Sequence, residues 1–431
     1  MPQHSPERLP AHIQPELLMK LRSPLAVLAL LSTGYALSFF QRVIPSVLAP
    51  DLMESFGLDA ASFSLISSAT MLGYALTQLP SGLLADLIGG RRTLAAYQML
   101  AGLFCILFTF CGSFAPAVAC RFLLGLTLAS NIPSYKLIAA SVPASKYAMY
   151  CSVLTGCGVC GTLMAASPLV EAAHLVGWRA ALFAAGLFTV FLGAAIYLLV
   201  PDSDRGPTGN GSDFRDNLAG LKQGMAQVIR MRNFWLIFVW FMFMIGNLFV
   251  LLTAWWGSYL MQANGLSKDA AGLSMSIMSL VPLPFMLLFP WLSDNVFRTR
   301  KRFLVLAAAA QCLILLFICL HRSTPLSFWS LTILGTLFNI FTNCMGPISF
   351  TMVKESVPSS ALASASGFIN SSAPVLAALV QGLFGTAVAS LLDSGHAPME
   401  SFASAFLLLL AGSCIALICT FFMKDTIGKR Q

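Results

Sequence analysis

Apolar stretches long enough to cross a bilayer recur along the whole chain, separated by short polar breaks. Twelve are read, at residues 24–50, 61–84, 93–112, 115–140, 147–169, 180–200, 234–261, 270–290, 303–320, 328–350, 361–388 and 402–422. Each is close to the roughly 20 residues that a hydrocarbon core requires. Backbone amides in lipid must be bonded within their own segment, so the stretches predict helices. One break is long. Residues 201–232 open with Pro, Asp, Gly and Asn and close on a short helical segment. Six stretches lie on each side of it. The predicted fold is all-α: a polytopic membrane protein with twelve transmembrane helices in two pseudo-symmetric six-helix bundles. The expected divisions are an N-tail at 1–23, bundles at 24–200 and 233–422, a linker at 201–232 and a C-tail at 423–431.

Composition strengthens the membrane reading. Apolar residues make up 57% of the chain and charged residues 10%, against about 25% charged in ordinary soluble proteins. The first 23 residues are polar, and the apolar stretch that follows is too long for the core of a signal peptide, so it is expected to stay as the first helix. If both tails face the cytoplasm, 20 of the 25 Lys and Arg fall on that side and three (Arg179, Lys268, Arg322) on the other. That bias predicts cytoplasmic termini, in a bacterial inner membrane. It also accounts for the net charge of +8 without a nucleic-acid surface. The eleven Cys lie in or beside the apolar stretches and read as packing residues. Cys157 and Cys160 form a C-x-x-C with no second pair, and the five His fall in tails or loops. No metal, cofactor or enzymatic chemistry is expected, and the chain is expected to act as a monomer.

Arg42 changes the picture most. It lies well inside the first apolar stretch, where a guanidinium costs from a few to about 15 kcal/mol unless it faces protein or water. On a helix Tyr35, Ser38, Arg42 and Ser46 fall at i, i+3, i+7 and i+11, one polar stripe on an apolar cylinder. Pro45 has no amide hydrogen, and its ring crowds the carbonyl of Gln41. The stripe predicts a site for a negatively charged ligand, with a structural ion pair or an arginine bonded to a backbone carbonyl as the plain alternative. Other residues that could orient such a ligand are Gln78, Asn131, Lys136, Asn247, Asn339, Asn343, Asn370 and Gln381, each of which could equally bond a neighbouring helix or, for Lys136, snorkel to the interface. Arg121 is expected near the outer end of its helix, as a gate or a snorkelling cation. Trp255 and Trp256 are expected in the outer interfacial belt, with stacking on the substrate as the alternative.

The halves repeat. Gly57-Leu58, Asp86 and Arg92 recur 208 residues later as Gly265-Leu266, Asp294 and Arg300, and the same offset sets Asn131 on Asn339. Duplicated halves around a central site are a transporter architecture. The loop after the second stretch reads Gly82-x-x-x-Asp86-x-x-Gly89-x-Arg91-Arg92. Gly82 would let helices approach closely, and Asp86 beside Arg91 and Arg92 could hold one conformation and release another. With Asp294 and Arg298 to Arg302 in the second half, Arg121-x-x-x-Gly125 and Gly177-Trp178-Arg179, the motifs resemble those of the major facilitator superfamily along the whole chain. Leu87 departs from that pattern, which has a basic residue there. The resemblance implies a conformational latch at Gly82, Asp86, Arg91, Arg92, Arg121 and Asp294.

Gly34-Tyr35-Ala36 followed by Arg42 resembles the first helix of organophosphate:phosphate antiporters and, less closely, that of anion:cation symporters. Both imply an anionic substrate on Arg42. The second Arg of the antiporters falls on Val250, their Lys on Gln78 and their His near Gly158. The acid that symporters place before the Arg is Gln41. The pattern therefore points to a small organic anion with one acid group, and toward exchange or uniport. A non-transporting receptor for an anion and an exporter of amphipathic compounds are the alternative functions.

Overall fold

The computed structural model describes residues 23–142, 144–201, 228–357 and 362–427. Most of the expected N-tail and linker, the last four residues of the C-tail, and the side chains of Asp86 and Asn131 lie outside what is described. Among the described residues ten helices are long and apolar enough to cross a membrane. Two more complete the set of twelve: Ala60–Leu87, and a helix broken in its middle.

Span 1 is Pro24–Val47, followed by the short helix Ala49–Phe56. Span 2 is Ala60–Leu87 and span 3 Gly90–Thr109. Span 4 is Phe114–Gly125, resumed at Asn131–Ser141. Span 5 is Ala144–Ala165, extended by Ser167–Val176, and span 6 is Trp178–Leu199. In the second half span 7 is Arg232–Val250, prolonged by wide turns at Leu251–Trp255 and Tyr259–Ala263. Span 8 is Lys268–Leu280 with Leu283–Trp291, and span 9 Lys301–Leu320. Span 10 is Phe328–Asn343, resumed at Gly346–Ser356. Span 11 is Leu362–Asp393 and span 12 Pro398–Phe422. Successive spans run in opposite directions. Residues 23, 201 and 427 therefore share one end, called here the tail end, and Gly57 and Gly265 share the far end.

Local chemistry explains the boundaries. Ser23 caps span 1 by accepting from the Ala26 amide, and Pro24 needs no amide partner at the first helical position. At the far end the repeat is physical. Gly57 and Gly265 both turn through positive φ, 62° and 68°, which glycine adopts without strain. The next helix in each half starts three residues later under a side-chain cap: Asp59 accepts from the Ser62 amide and Ser267 from the Ala270 amide. The repeat slips elsewhere. Helices restart at Asn131 and at Gly346 after the breaks in spans 4 and 10, with Pro133 and Pro347 in their first turns. Asn339 lies before its break and Asn131 after its own, so the 208-residue offset that pairs them in sequence does not hold there.

Small residues set how closely the spans approach. A Cβ on Gly161 in span 5 would fall 1.8 Å from the Ala36 carbonyl oxygen of span 1, and one on Gly257 in span 7 would fall 2.1 Å from that of Ser46. These backbones touch, as small residues allow in lipid. Gly82 does not act this way: a Cβ there would meet only Ile132, at an ordinary 3.7 Å. Trp255 and Trp256 are each 1% exposed. They pack in the core and not in an interfacial belt, Trp256 against Tyr259 at 5.6 Å, and Trp255 between the halves, edge-on to Phe63 of span 2 at 5.8 Å and tilted against Phe384 of span 11 at 5.0 Å.

Candidate functional site

The polar stripe of span 1 faces two elements. Ser38 shares a hydrogen bond with Ser130 at 2.8 Å, and Arg42 Nη2 donates to the Leu128 carbonyl at 3.2 Å. Both partners lie in the non-helical break of span 4. Ser46 Oγ accepts from the Gly257 amide of span 7 at 3.1 Å. Tyr35 is buried and lies edge-on to Phe39 at 5.1 Å.

Arg42 is 4% exposed. Its guanidinium sits 3.9 Å from the Tyr74 ring centre and 4.6 Å from that of Phe39. Desolvated contacts of this kind are worth about 2 kcal/mol or more each. Its Nε has no partner. Leu128 cannot bond its carbonyl within a helix because the helix has stopped, so Arg42 takes an orphaned acceptor. Among the described residues no carboxylate lies within ion-pair distance of Arg42.

Arg121 is not at a helix end facing lipid headgroups. It is 1% exposed, donating from Nε to Thr70 Oγ1 at 3.1 Å and from Nη2 to the Gln41 carbonyl at 3.0 Å. Among the described residues it is thus a second buried cation without a carboxylate partner, apart from the tail-end charges. Thr70 and Tyr74 are one turn apart on span 2, which brings the two guanidiniums to neighbouring levels.

Among the described side chains, the other expected ligand-orienting residues do not converge on Arg42. Lys136 Nζ donates to the Ala85 carbonyl of span 2 at 2.7 Å. Asn247 donates to Leu409 and Ser413 of span 12, Asn339 to the Met278 carbonyl of span 8, and Gln381 to Thr253 of span 7. Asn343 is half-buried near the end of its helix. Each bonded amide ties one helix to the next. Gln78 and Asn370 bond across the halves, Oε1 accepting at 3.2 Å, and Gln78 Nε2 is buried without a partner.

The tail-end charges are clearest in the second half. Arg300 donates from Nε and Nη2 to the two oxygens of Glu355, at 3.2 and 2.9 Å, and pairs through Nη1 with Asp294. Asp425, beyond span 12, accepts from Thr299 Oγ1 and from the amides of Arg300 and Thr426. Burial pushes the Asp425 carboxyl up, but the hydrogen bonds from Thr299 and from the amides of Arg300, Ile427 and Thr426 outweigh it and leave its pKa below the ordinary value. Asp294 and Arg300 belong to a motif visible in the sequence. Glu355 and Asp425 were missed, because no local motif links them to it. In the first half Arg91 donates to the Val200 carbonyl at 3.4 Å and Arg92 is exposed; the Asp86 side chain is outside the described residues.

Among the described residues, bonds between the halves gather at the far end. Lys268 pairs with Asp51 at 2.7 Å and His174 lies 3.2 Å from Asp269. Ser167 and Ser276 are 3.2 Å apart. Of the side-chain bonds between described residues of the two halves, Gln78–Asn370 lies nearest the tail end.

The Major Facilitator Superfamily family model matches residues 31–260 and 243–431. The 4-hydroxybenzoate transporter PcaK of Pseudomonas aeruginosa is 29% identical over 164 residues, which cover 37% of this chain and 36% of that protein. The aligned part thus spans about a third of that relative. The phosphoglycerate transporter protein of Salmonella typhimurium is 24% identical over 434 residues, covering 91% of this chain and 87% of that one. Among solved structures, a bacterial homologue of the human lysosomal transporter Spinster, inward-facing and unoccupied, superposes with a TM-score of 0.75 at 16% identity, covering 93% of this chain and 96% of that chain.

Proposed function

The chain belongs to the Major Facilitator Superfamily, and from that premise we propose that it is a secondary transporter of a small organic anion whose acid group pairs with Arg42. The observation that carries this reading is a buried guanidinium with an unpartnered Nε and, among the described residues, no carboxylate in reach. Arg300 supports it from within the same chain. That residue grips Glu355 through Nε and Nη2, the edge that Arg42 presents with one position empty and the other resting on a carbonyl. An incoming carboxylate would displace the Leu128 oxygen and take both positions, exchanging a neutral acceptor for a charged one. The relatives transport, by their names, 4-hydroxybenzoate and phosphoglycerate, and both compounds carry a carboxylate.

In this reading the substrate enters between the halves from the tail end, because the bonds between their described residues gather at the far end. Loss of the Leu128 contact frees the break in span 4, the halves rock, and the far-end bonds open. The Lys and Arg bias supports cytoplasmic tails and a bacterial inner membrane. A second reading, a substrate with two acid groups, is favoured by one observation: Arg121 is a second buried cation one turn along span 2 from the ring that covers Arg42.

The test is thermal protection and liposome uptake with 4-hydroxybenzoate and 3-phosphoglycerate. Arg42→Ala is expected to lose both responses and Arg42→Lys to recover little, since Lys lacks the planar fork. Normal uptake by Arg42→Ala removes the proposal. Protection by 3-phosphoglycerate that far exceeds protection by 4-hydroxybenzoate favours the two-acid reading.

A further inference from the structure

Pro45 leaves the Gln41 carbonyl without the amide that would ordinarily bond it, four residues on in the helix. Arg121 stands in for that amide, with Nη2 3.0 Å from the oxygen. Its other bond fixes where it stands. Thr70 Oγ1 donates its own hydrogen to the Ile66 carbonyl at 3.1 Å, so its lone pairs face the Arg121 Nε at 3.1 Å. Gln41 is the residue before Arg42. The arrangement is reciprocal: span 4 sends Arg121 to a carbonyl orphaned by a proline in span 1, and span 1 sends Arg42 to a carbonyl orphaned by the break in span 4.

We propose that Arg121 is a positioning residue for anion binding: by bonding the Gln41 carbonyl it holds the proline-distorted turn of span 1 and so aims Arg42. The proposal rests on the reading of Arg42 as the anion-binding group. It makes the need for Arg121 conditional on Pro45. With alanine in place of Pro45 the Gln41 carbonyl regains an amide, and span 1 keeps its course without help.

That dependence is tested with four purified proteins: wild type, Arg121→Met, Pro45→Ala and the double variant. Dissociation constants are measured for 4-hydroxybenzoate and 3-phosphoglycerate, and melting temperatures without ligand. Arg121→Met is expected to weaken binding about tenfold in the Pro45 chain and by less than about threefold in the Pro45→Ala chain, a coupling of the size that contacting residues show. Equal fold losses in both backgrounds overturn the proposal, because a merely structural arginine would be missed equally in each. Should Arg121→Met not fold, Arg121→Lys, which reaches only one of the two acceptors, is carried through the same cycle. The ligand-free melting temperatures decide the matter even if neither probe binds. A larger fall on Arg121→Met in the Pro45 chain than in the Pro45→Ala chain supports the proposal, and equal falls overturn it. Protection by anions that survives Arg42→Ala would sink the anion reading and leave that thermal comparison intact.

Discussion

Arg42 and Arg300 are both buried arginines, one in each half, and they differ in what they hold. Arg300 has its counter-charges built in, with Glu355 on two nitrogens and Asp294 on the third. Arg42 has two aromatic rings, one backbone oxygen and an empty Nε. The position 208 residues from Arg42 is Val250, fully buried in span 7. The first half thus concentrates unneutralised charge at its centre, and the second places satisfied charge at its tail end. A cation whose partner is covalently part of the chain fixes structure. A cation kept without one, at a cost of several kcal/mol, is available to a partner that arrives and leaves.

The largest expected effect attacks the contrast at its centre. Arg42→Ala should weaken anion binding by about 100-fold or more, the scale of removing one partner of a buried charge pair. Val250→Ala should change it by less than about threefold and cost mainly packing, about 1 kcal/mol. Isothermal titration of the two variants decides the matter, and equal losses would erase the distinction between the halves. Next comes Arg300→Ala. It strands Glu355 and Asp294, both partly solvated, so a loss of about 2 kcal/mol of stability is expected, with anion affinity held within about threefold. Melting and binding measured on the same sample separate the two roles. A smaller effect concerns acid. The Asp425 carboxyl titrates lower in the folded protein than in the unfolded chain, so the stability it contributes is full above the unfolded value and lost as pH falls through the folded one. Melting temperature recorded below about pH 4 should therefore fall less steeply in Asp425→Asn than in wild type. An unchanged slope would separate the tail from the Arg300 cluster. The smallest effect is at Asp51–Lys268, half-buried between the halves. Asp51→Asn should lower stability by less than about 1 kcal/mol and leave the dissociation constant within about twofold.

Much of the fold was legible because lipid imposes a strict rule on sequence. Span lengths and the far-end glycine turns are local properties of short windows. The stripe on span 1 was legible for the same reason, and Pro45 announced that the Gln41 carbonyl would need help. What answered it was not legible, since Arg121 is 80 residues away and looked like a helix-end cation. Tyr74 and the Leu128 carbonyl were missed because a backbone oxygen and an aromatic ring in an apolar run leave no pattern. Glu355 and Asp425 reach Arg300 from elements 55 and 125 residues away. Trp255 and Trp256 were misread because an indole near a span end resembles an interfacial anchor, and only tertiary contact reveals that the second half closes over it.

Trp255 has a further use. Its indole stacks within the second half against Phe384, while its one aromatic neighbour in the first half, among the described residues, is Phe63, and its N–H is held by the Gln381 carbonyl at 3.2 Å. A rotation of one half against the other would carry Phe63 away and admit lipid or water at the ring. The chain therefore contains its own optical gauge: the emission maximum of Trp255, isolated by subtracting the spectrum of Trp255→Phe, would report the angle between the halves in an unlabelled protein.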